Sequence, residues 1–252
     1  MKRNYMTNTI SIDYFTQNIP APYSFHIHAE LAPSDSVAIS FSLTYTDRET
    51  LEEDEILNEG FTGDDDINWS GSLPGVWNES LEDLIKKTTW SGKADKLSRC
   101  KIKVTLAGDE AKYPANTGSW EYWLQELQQA CIETAKVEKP LEMDFVKGER
   151  KLSLKGSFEK REAFIEERLG GLVVNKKIPW EKLGKVLKQI YIAEYYPEDV
   201  QPNYNTKGDT FLNIGGGQWF NLSKTNLHIS KKKEWLSKLE ASFEDLISGP
   251  SA

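Results

Sequence analysis

Three runs of strict alternation in the opening part of the chain restrict what it can fold into. Ile10, Ile12 and Tyr14 alternate with Thr9, Ser11 and Asp13. Phe25, Ile27, Ala29 and Leu31 alternate with Ser24, His26, His28 and Glu30. Val37, Ile39, Phe41, Leu43 and Tyr45 alternate with Ser36, Ala38, Ser40, Ser42 and Thr44. Only an extended strand sorts side chains to two faces with period two, and the turn-rich NIPAP and APSD separate the runs. The expectation is an antiparallel meander with one apolar face and one face of small polar groups. Apolar residues of the second and third runs are all odd-numbered, so odd positions must pair with odd ones. A three-residue loop at Pro33-Ser34-Asp35 then sets His28 opposite Ser40, His26 opposite Ser42 and Glu30 opposite Ala38. Strand one brings Ser11 or Asp13 near His26.

Later segments change period. Cys100–Leu106 repeats the alternation, and two hairpins are expected, LEMDFVKGERKLSLKG turning at Gly148 and TFLNIGGGQWFNL turning at Gly215–Gly217. Four other segments place apolar residues three and four apart, each led by a tryptophan. They are Trp77 with Leu81, Leu84 and Ile85; Trp120 with Trp123, Leu124, Leu127 and Cys131; Trp180 with Leu183, Leu187 and Ile190; and Trp235 with Leu239, Phe243 and Leu246. These stripes predict amphipathic helices, each with a large ring pinning its first turn. Start signals are Ser119 as N-cap before Trp120, Pro179 at a first helical position, and Ser230 ahead of Trp235. The segments between the tryptophans do not match, which argues against an internal repeat. FEKREAFIEERLGG reads as a shorter helix closed by a left-handed Gly170-Gly171 cap.

The stretch 108–119, GDEAKYPANTGS, has the composition of a linker. The resulting fold class is α+β. Residues 1–110 form a strand-rich antiparallel unit packed by Trp-anchored helices, and 111–252 a second α+β unit with two hairpins and three or four helices; the two could merge into a single domain. A long loop at 195–209 lies inside the second part.

MKRNYMTNTISIDYF has no apolar run behind its early basic residues, so no secretory signal is expected there, and no stretch approaches a membrane span. Cys100 and Cys131 each fall in an apolar pattern and read as reduced, buried thiols. A cytoplasmic location follows as the expectation, and the three N-glycosylation sequons then carry no meaning. With 8 Trp, 10 Tyr and 10 Phe the chain holds far more buriable area than a disordered one.

The net charge of −8 is unevenly spread. Between Asp47 and Asp83 stand thirteen acids and one base, Arg48, a local −12 that leaves +4 for the rest. Such a field repels nucleic acid and attracts basic surfaces. Glu52, Glu53, Asp54, Glu55, Asp64, Asp65 and Asp66 are the expected contact residues for a partner of that kind, either another protein with a basic surface or a second copy.

Chemical motifs are sparse. In HIHAE, His26, His28 and Glu30 share one strand face about 7 Å apart, a genuine zinc-ligand spacing without an evident further ligand; His228 is the chain's other histidine. Glycine-bearing LNIGGGQ lacks the helix and lysine of a phosphate loop, and GFTGDDDINWSG lacks the spacing of a calcium loop. The three lysines of SKKKEW oppose the dipole of the helix they begin. No serine, cysteine or threonine sits in a nucleophile elbow, and three histidines leave a triad almost no candidates.

Three functional readings follow. The first is a non-enzymatic cytoplasmic protein-binding module of the inhibitor, immunity or adaptor type, needing no cofactor. The second is a metal-dependent hydrolase or metal-binding protein holding zinc at His26, His28 and Glu30. The third is a small-molecule binder using either the polar face of the first sheet or the 195–209 loop, where Tyr195, Tyr196, Tyr204 and Trp219 would stack a ring.

Overall fold

The computed structural model describes residues 9–94, 98–107, 109–224, 229 and 231–248. The chain separates into two compact units, one ending at Glu138 and one beginning at Lys139. The division therefore falls beyond the 108–119 stretch, which carries a short strand and leads into a helix of the first unit.

In the first unit, β1 (Ile10–Thr16), β2 (Phe25–Pro33) and β3 (Ser36–Tyr45) form the antiparallel meander. A long connection holding α1 (Glu53–Asn58) leads to β4 (Ile67–Pro74), followed by α2 (Val76–Lys87), β5 (Trp90–Ser91), β6 (Cys100–Leu106), β7 (Tyr113–Pro114) and α3 (Thr117–Thr134). The five-stranded sheet runs β4-β3-β2-β1-β6, and β5 pairs with β7 apart from it. Ile12, Tyr14, Ile27, Ala29, Leu31, Val37, Ile39, Phe41, Leu43, Ile102 and Val104 are buried, as the alternation requires. Helix α2 packs against β3 and β4, and α3 against β6 and β4. Trp77 and Trp123 meet edge to face with centroids 5.6 Å apart. The buried indoles donate their N–H groups, Trp120 to Thr88 Oγ1 at 2.9 Å and Trp123 to Ser80 Oγ at 3.0 Å.

The β2–β3 register differs from the expectation by one pair. Pro33 pairs with Val37, so the three-residue loop is Ser34-Asp35-Ser36 rather than Pro33-Ser34-Asp35, and His28 faces Ser42, His26 faces Thr44 and Glu30 faces Ser40. The Ser34 N–H donates to the Ser36 carbonyl at 3.0 Å, so the neighbouring Pro33–Val37 pair is a non-hydrogen-bonded one and the missing N–H of proline costs that ladder no donor. The inward and outward sets are unchanged, since the shift is by two residues.

In the second unit, β8 (Leu141–Lys147), β9 (Arg150–Ser157), β10 (Glu162–Leu169) and β11 (Leu172–Ile178) form a second meander. Helix α4 (Trp180–Tyr191) then crosses to β12 (Val200–Gln201), followed by β13 (Thr210–Asn213), β14 (Trp219–Asn221) and α5 (Lys232–Ser248). The strand order is β11-β10-β9-β8-β13-β14-β12. Met143, Phe145, Leu152, Leu154 and Ile165 line the face covered by Leu183, Val186 and Ile190 of α4 and Trp235, Leu239 and Phe243 of α5.

The segment expected as a helix, 158–171, is strand β10 and its turn. Ala163 and Ile165 are buried while Phe164 is exposed, a period of two. Gly170 and Gly171 both have positive φ, 56° and 83°, and join β10 to β11 as a hairpin turn rather than capping a helix. Two helix starts also differ. Asn116, not Ser119, precedes α3, and Pro179 is itself the N-cap of α4, its extended ψ of 136° placing its carbonyl to accept from Lys182 N–H at 3.0 Å. Ser230 lies outside the described residues.

Gly75 fixes how α2 enters the first unit. A Cβ there would stand 2.7 Å from the backbone carbonyl oxygen of Asp35 in the β2–β3 turn, a group that cannot swing aside. Gly75→Ala should cost about 1–3 kcal/mol in urea unfolding. Gly63→Ala, where nothing lies within 4 Å, should change stability by less than about 0.5 kcal/mol.

Candidate functional site

Ten of the thirteen acids lie in the connection between β3 and β4, the other three in α2, and the one base organises that connection. The Arg48 guanidinium lies 3.7 Å from the Tyr45 ring centroid and 4.6 Å from that of Phe61. Its Nη1 donates to Asp65 Oδ2 at 2.8 Å and to the Thr62 carbonyl at 3.0 Å, and its Nε donates to the Pro22 carbonyl at 3.2 Å. A cation over two ring faces with a carboxylate at its edge is held both by the ring quadrupoles and by charge-assisted hydrogen bonding. Asp65 also accepts from the Thr62 backbone N–H and hydroxyl. The Thr62 hydroxyl first, and Arg48 after it, hold the Asp65 carboxyl below its ordinary value against the opposing effect of burial.

The seven acids expected to meet a partner divide into two groups. Asp65 is bound by Arg48, Asp66 Oδ1 accepts the Tyr45 N–H at 2.9 Å, and Glu55 Oε2 accepts the Glu52 N–H at 2.9 Å at the start of α1. These three shape the loop. Glu52, Glu53, Asp54 and Asp64 are exposed, as are Glu55 and Asp66. In the first turn of α1, Glu53 and Asp54 also complement the helix dipole. Leu57 stands in the same helix with half its surface exposed, and Tyr23 donates its hydroxyl to Glu59 nearby.

His26, His28 and Glu30 do share the open face of the first sheet, and Asp13 from β1 lies between the rings. Asp13 Oδ1 is 2.8 Å from His28 Nδ1 and 3.3 Å from His26 Nε2, while Oδ2 is 3.8 Å from Lys103 Nζ. Glu30 comes no nearer than 3.7 Å to His28 Nε2. Phe15 stacks flat on His26 at 4.2 Å. The cross-strand row Ser42–His28–Asp13–Lys103 is thus an ion-pair and hydrogen-bond array about one carboxylate. Among the described residues no group of three or more His, Cys, Asp and Glu side chains is arranged to hold a metal ion. A metal bound between the rings would have to displace Asp13 from a ring nitrogen of each. His228 lies outside the described residues.

The aromatic residues considered for ring stacking do not converge. Tyr195 packs on Phe220 on the helix side of the second sheet and donates its hydroxyl to the Ile190 carbonyl at 2.9 Å. Tyr204 lies 4.4 Å from Trp219, whose side chain points to the other face. Neighbouring residues of one strand necessarily diverge in this way, and the Tyr204–Trp219 contact already fills the space between those rings. Tyr196, beside Tyr195 in the chain, is half-buried. Near α5 a recess of about 320 Å³ is floored by Phe145 and Leu152, and its rim charges pair with each other, Lys147 with Glu240 at 2.8 Å and Arg150 with Glu167 and Glu244. At the start of α5, Glu234 sits within the lysine cluster, 3.8 Å from Lys231 and 2.8 Å from Lys238.

The chain matches no protein-family model, and no curated protein is similar to it in sequence. Its site therefore has to be read from its own geometry.

Arg48 is the residue that reading by charge alone passes over, because one base among thirteen acids looks like noise. The available signal was its position between Tyr45 and Phe61. Arg48→Ala should leave both sheets folded while limited proteolysis of 46–66 speeds by tenfold or more, since the loop loses its central contact. At Asp13, burial raises the carboxyl, and the hydrogen bonds from His28 and then His26 outweigh it, leaving it below its ordinary value. A carboxyl depressed in the folded state stabilises above its unfolded value near 3.9 and loses that contribution as pH falls through the folded value. Asp13→Asn should therefore cost about 1–3 kcal/mol in urea unfolding at pH 6, with the gap to the parent closing below about pH 4.

Proposed function

We propose that the chain is a non-enzymatic, cytoplasmic protein-binding module of the inhibitor, immunity or adaptor type, and that it engages a basic protein surface through the 47–66 loop. The observation that supports this reading is the Arg48 anchor, which holds the exposed carboxylates of Glu52, Glu53, Asp54 and Asp64 on an ordered scaffold. A preorganised loop loses little further freedom on binding, and a concentrated field of one sign raises the encounter rate with a partner of the other. Leu57 supplies an apolar contact inside that field. In this reading Glu55, Asp65 and Asp66 act through the loop's shape, and the tryptophans at the heads of the helices anchor the scaffold behind it. Reduced Cys100 and Cys131, both buried and unpaired with each other, suit a reducing compartment. No described helix is long and apolar enough to cross a membrane.

The test is a pull-down with the full chain, compared with a Glu52→Gln/Glu53→Gln/Asp54→Asn/Asp64→Asn variant and with His26→Ala. The expected result is a captured partner released by raised salt, lost from the fourfold variant, and retained by His26→Ala. By surface plasmon resonance the fourfold variant should bind that partner with an association rate lower by about 10-fold or more at low ionic strength. Capture indifferent to all four neutralisations would overturn the reading.

A further inference from the structure

The outer edge of the second unit is left open in an unusual way. Strand β11 ends the strand order, and among the described residues no strand pairs with its outer side. Leu172, Val173 and Val174 are 75%, 51% and 55% exposed, with Leu169 across the turn at 47%. Edge strands are ordinarily blunted by charge, proline or a bulge, because their unpaired N–H and C=O groups recruit other strands. Here the first half of the edge is apolar and β-branched. The lysines of the second half are drawn back onto their own fold, Lys176 Nζ to the Ile247 carbonyl at 2.8 Å and Lys177 Nζ to Glu162 at 2.7 Å. The two-residue Gly170-Gly171 turn closes on the pair Leu169–Leu172, a hydrogen-bonded pair in hairpins of this length. Leu172, Val174 and Lys176 therefore turn their backbone groups to β10, while Val173, Asn175 and Lys177 turn theirs outward.

We propose that this edge is a self-association surface: a second copy of the chain adds its own β11 antiparallel to the first, about a two-fold axis at Asn175, joining the two seven-stranded sheets into one. The occupant follows from the strand's own pattern. With Asn175 against Asn175 of the second copy, all seven residues overlap, and the outward groups of Val173, Asn175 and Lys177 meet those of Lys177, Asn175 and Val173. Leu172 meets Ile178 of the second copy, and the stem of its Lys176 covers Val174. Charge differs between the two faces. On the open face Val173 lies between Arg168 and Lys177 of the second copy, two bases each held to a carboxylate of their own fold, Glu166 and Glu162. The helix-side row reads Glu167, Val174, then Lys176 of the second copy, so an acid and a base about two strand spacings (~10 Å) apart flank each valine, and symmetry makes the pair twice. A parallel pairing in register would instead set like lysines side by side. This proposal uses a surface other than the acidic loop and stands or falls separately from the partner-binding reading.

Sedimentation equilibrium of the full chain at about 50 µM, above the micromolar affinities of ordinary specific interfaces, tests it together with hydrogen exchange. The expected result is twice the chain mass, with the Val173, Asn175 and Lys177 amides protected more strongly as concentration rises. Asn175→Pro removes only an outward N–H, which an edge strand tolerates, and should give a folded monomer by circular dichroism and sedimentation. Val174→Lys sets lysine against Lys176 of the second copy and should weaken association at least tenfold. Monomeric parent protein would overturn the proposal, as would a dimer that both variants keep. Should either variant unfold, exchange of those three amides in the parent decides, and rates independent of concentration count against the interface.

Discussion

Each sheet of this protein carries its helices on one face, and that one-sidedness governs where everything else can lie. A pleated strand sends successive side chains to opposite faces, so a sheet covered once has a dry apolar face and an open one. In the first unit the dry face takes Phe41, Leu43, Ile102 and Val104 beneath α2 and α3, and the open face is left with serines, threonines, both strand histidines and Asp13. In the second unit α4 and α5 cover the face of Phe145, Leu152 and Ile165, and the opposite face keeps only the small cluster of Val146, Phe211 and Trp219. Chemistry and recognition are left to open faces, edges and loops.

Among those places the β3–β4 loop differs in how it is held. Ten acids gathered within 47–66 repel one another, and a loop of that composition would ordinarily be extended and mobile. A single guanidinium, packed on two rings and bonded to a carboxylate and two carbonyls, reverses this. It binds Asp65 directly, while Asp66 and Glu55 accept backbone N–H groups of Tyr45 and Glu52 in the same loop. Asp13 plays a comparable part on the open sheet face, collecting two imidazoles and a lysine about one carboxylate. Both arrangements put one charged group at the centre of several hydrogen-bonding partners, which fixes the side chains around it.

Much of this architecture is legible along the chain, and the exceptions have identifiable causes. The strands before Tyr45 and the hairpins at Gly148 and Gly215–Gly217 follow from period two with turn residues between. The helices containing Trp77, Trp120, Trp180 and Trp235 follow from spacings of three and four. Strand β10 is not legible in the sequence because Gly-Gly after an apolar residue serves equally as a helix cap and as a hairpin turn, and EAFIEERL satisfies both periods loosely. The β2–β3 register is legible only to within one pair, because Pro33 has the composition of a loop residue yet sits in a non-hydrogen-bonded pair that needs no N–H. Of the candidate residues, the face shared by His26, His28 and Glu30 was readable from parity alone, whereas the separation of Tyr195 from Tyr204 was not, since they belong to a loop with no period.

What the amino-acid order determined by itself is the set of faces: which residues turn inward, which outward, and where acidic charge accumulates, because alternation and charge are local properties of the chain. Only tertiary structure decided which outward groups meet. Asp13 reaches both imidazoles because β1 pairs with β2 in a particular register. Arg48 becomes largely enclosed because Pro22, from the β1–β2 connection, joins Tyr45, Phe61 and Asp65 around it, and β11 becomes an edge because nothing in the described chain returns to pair with it. Contacts of that kind depend on closure of distant segments, whose outcome no window of neighbouring residues contains.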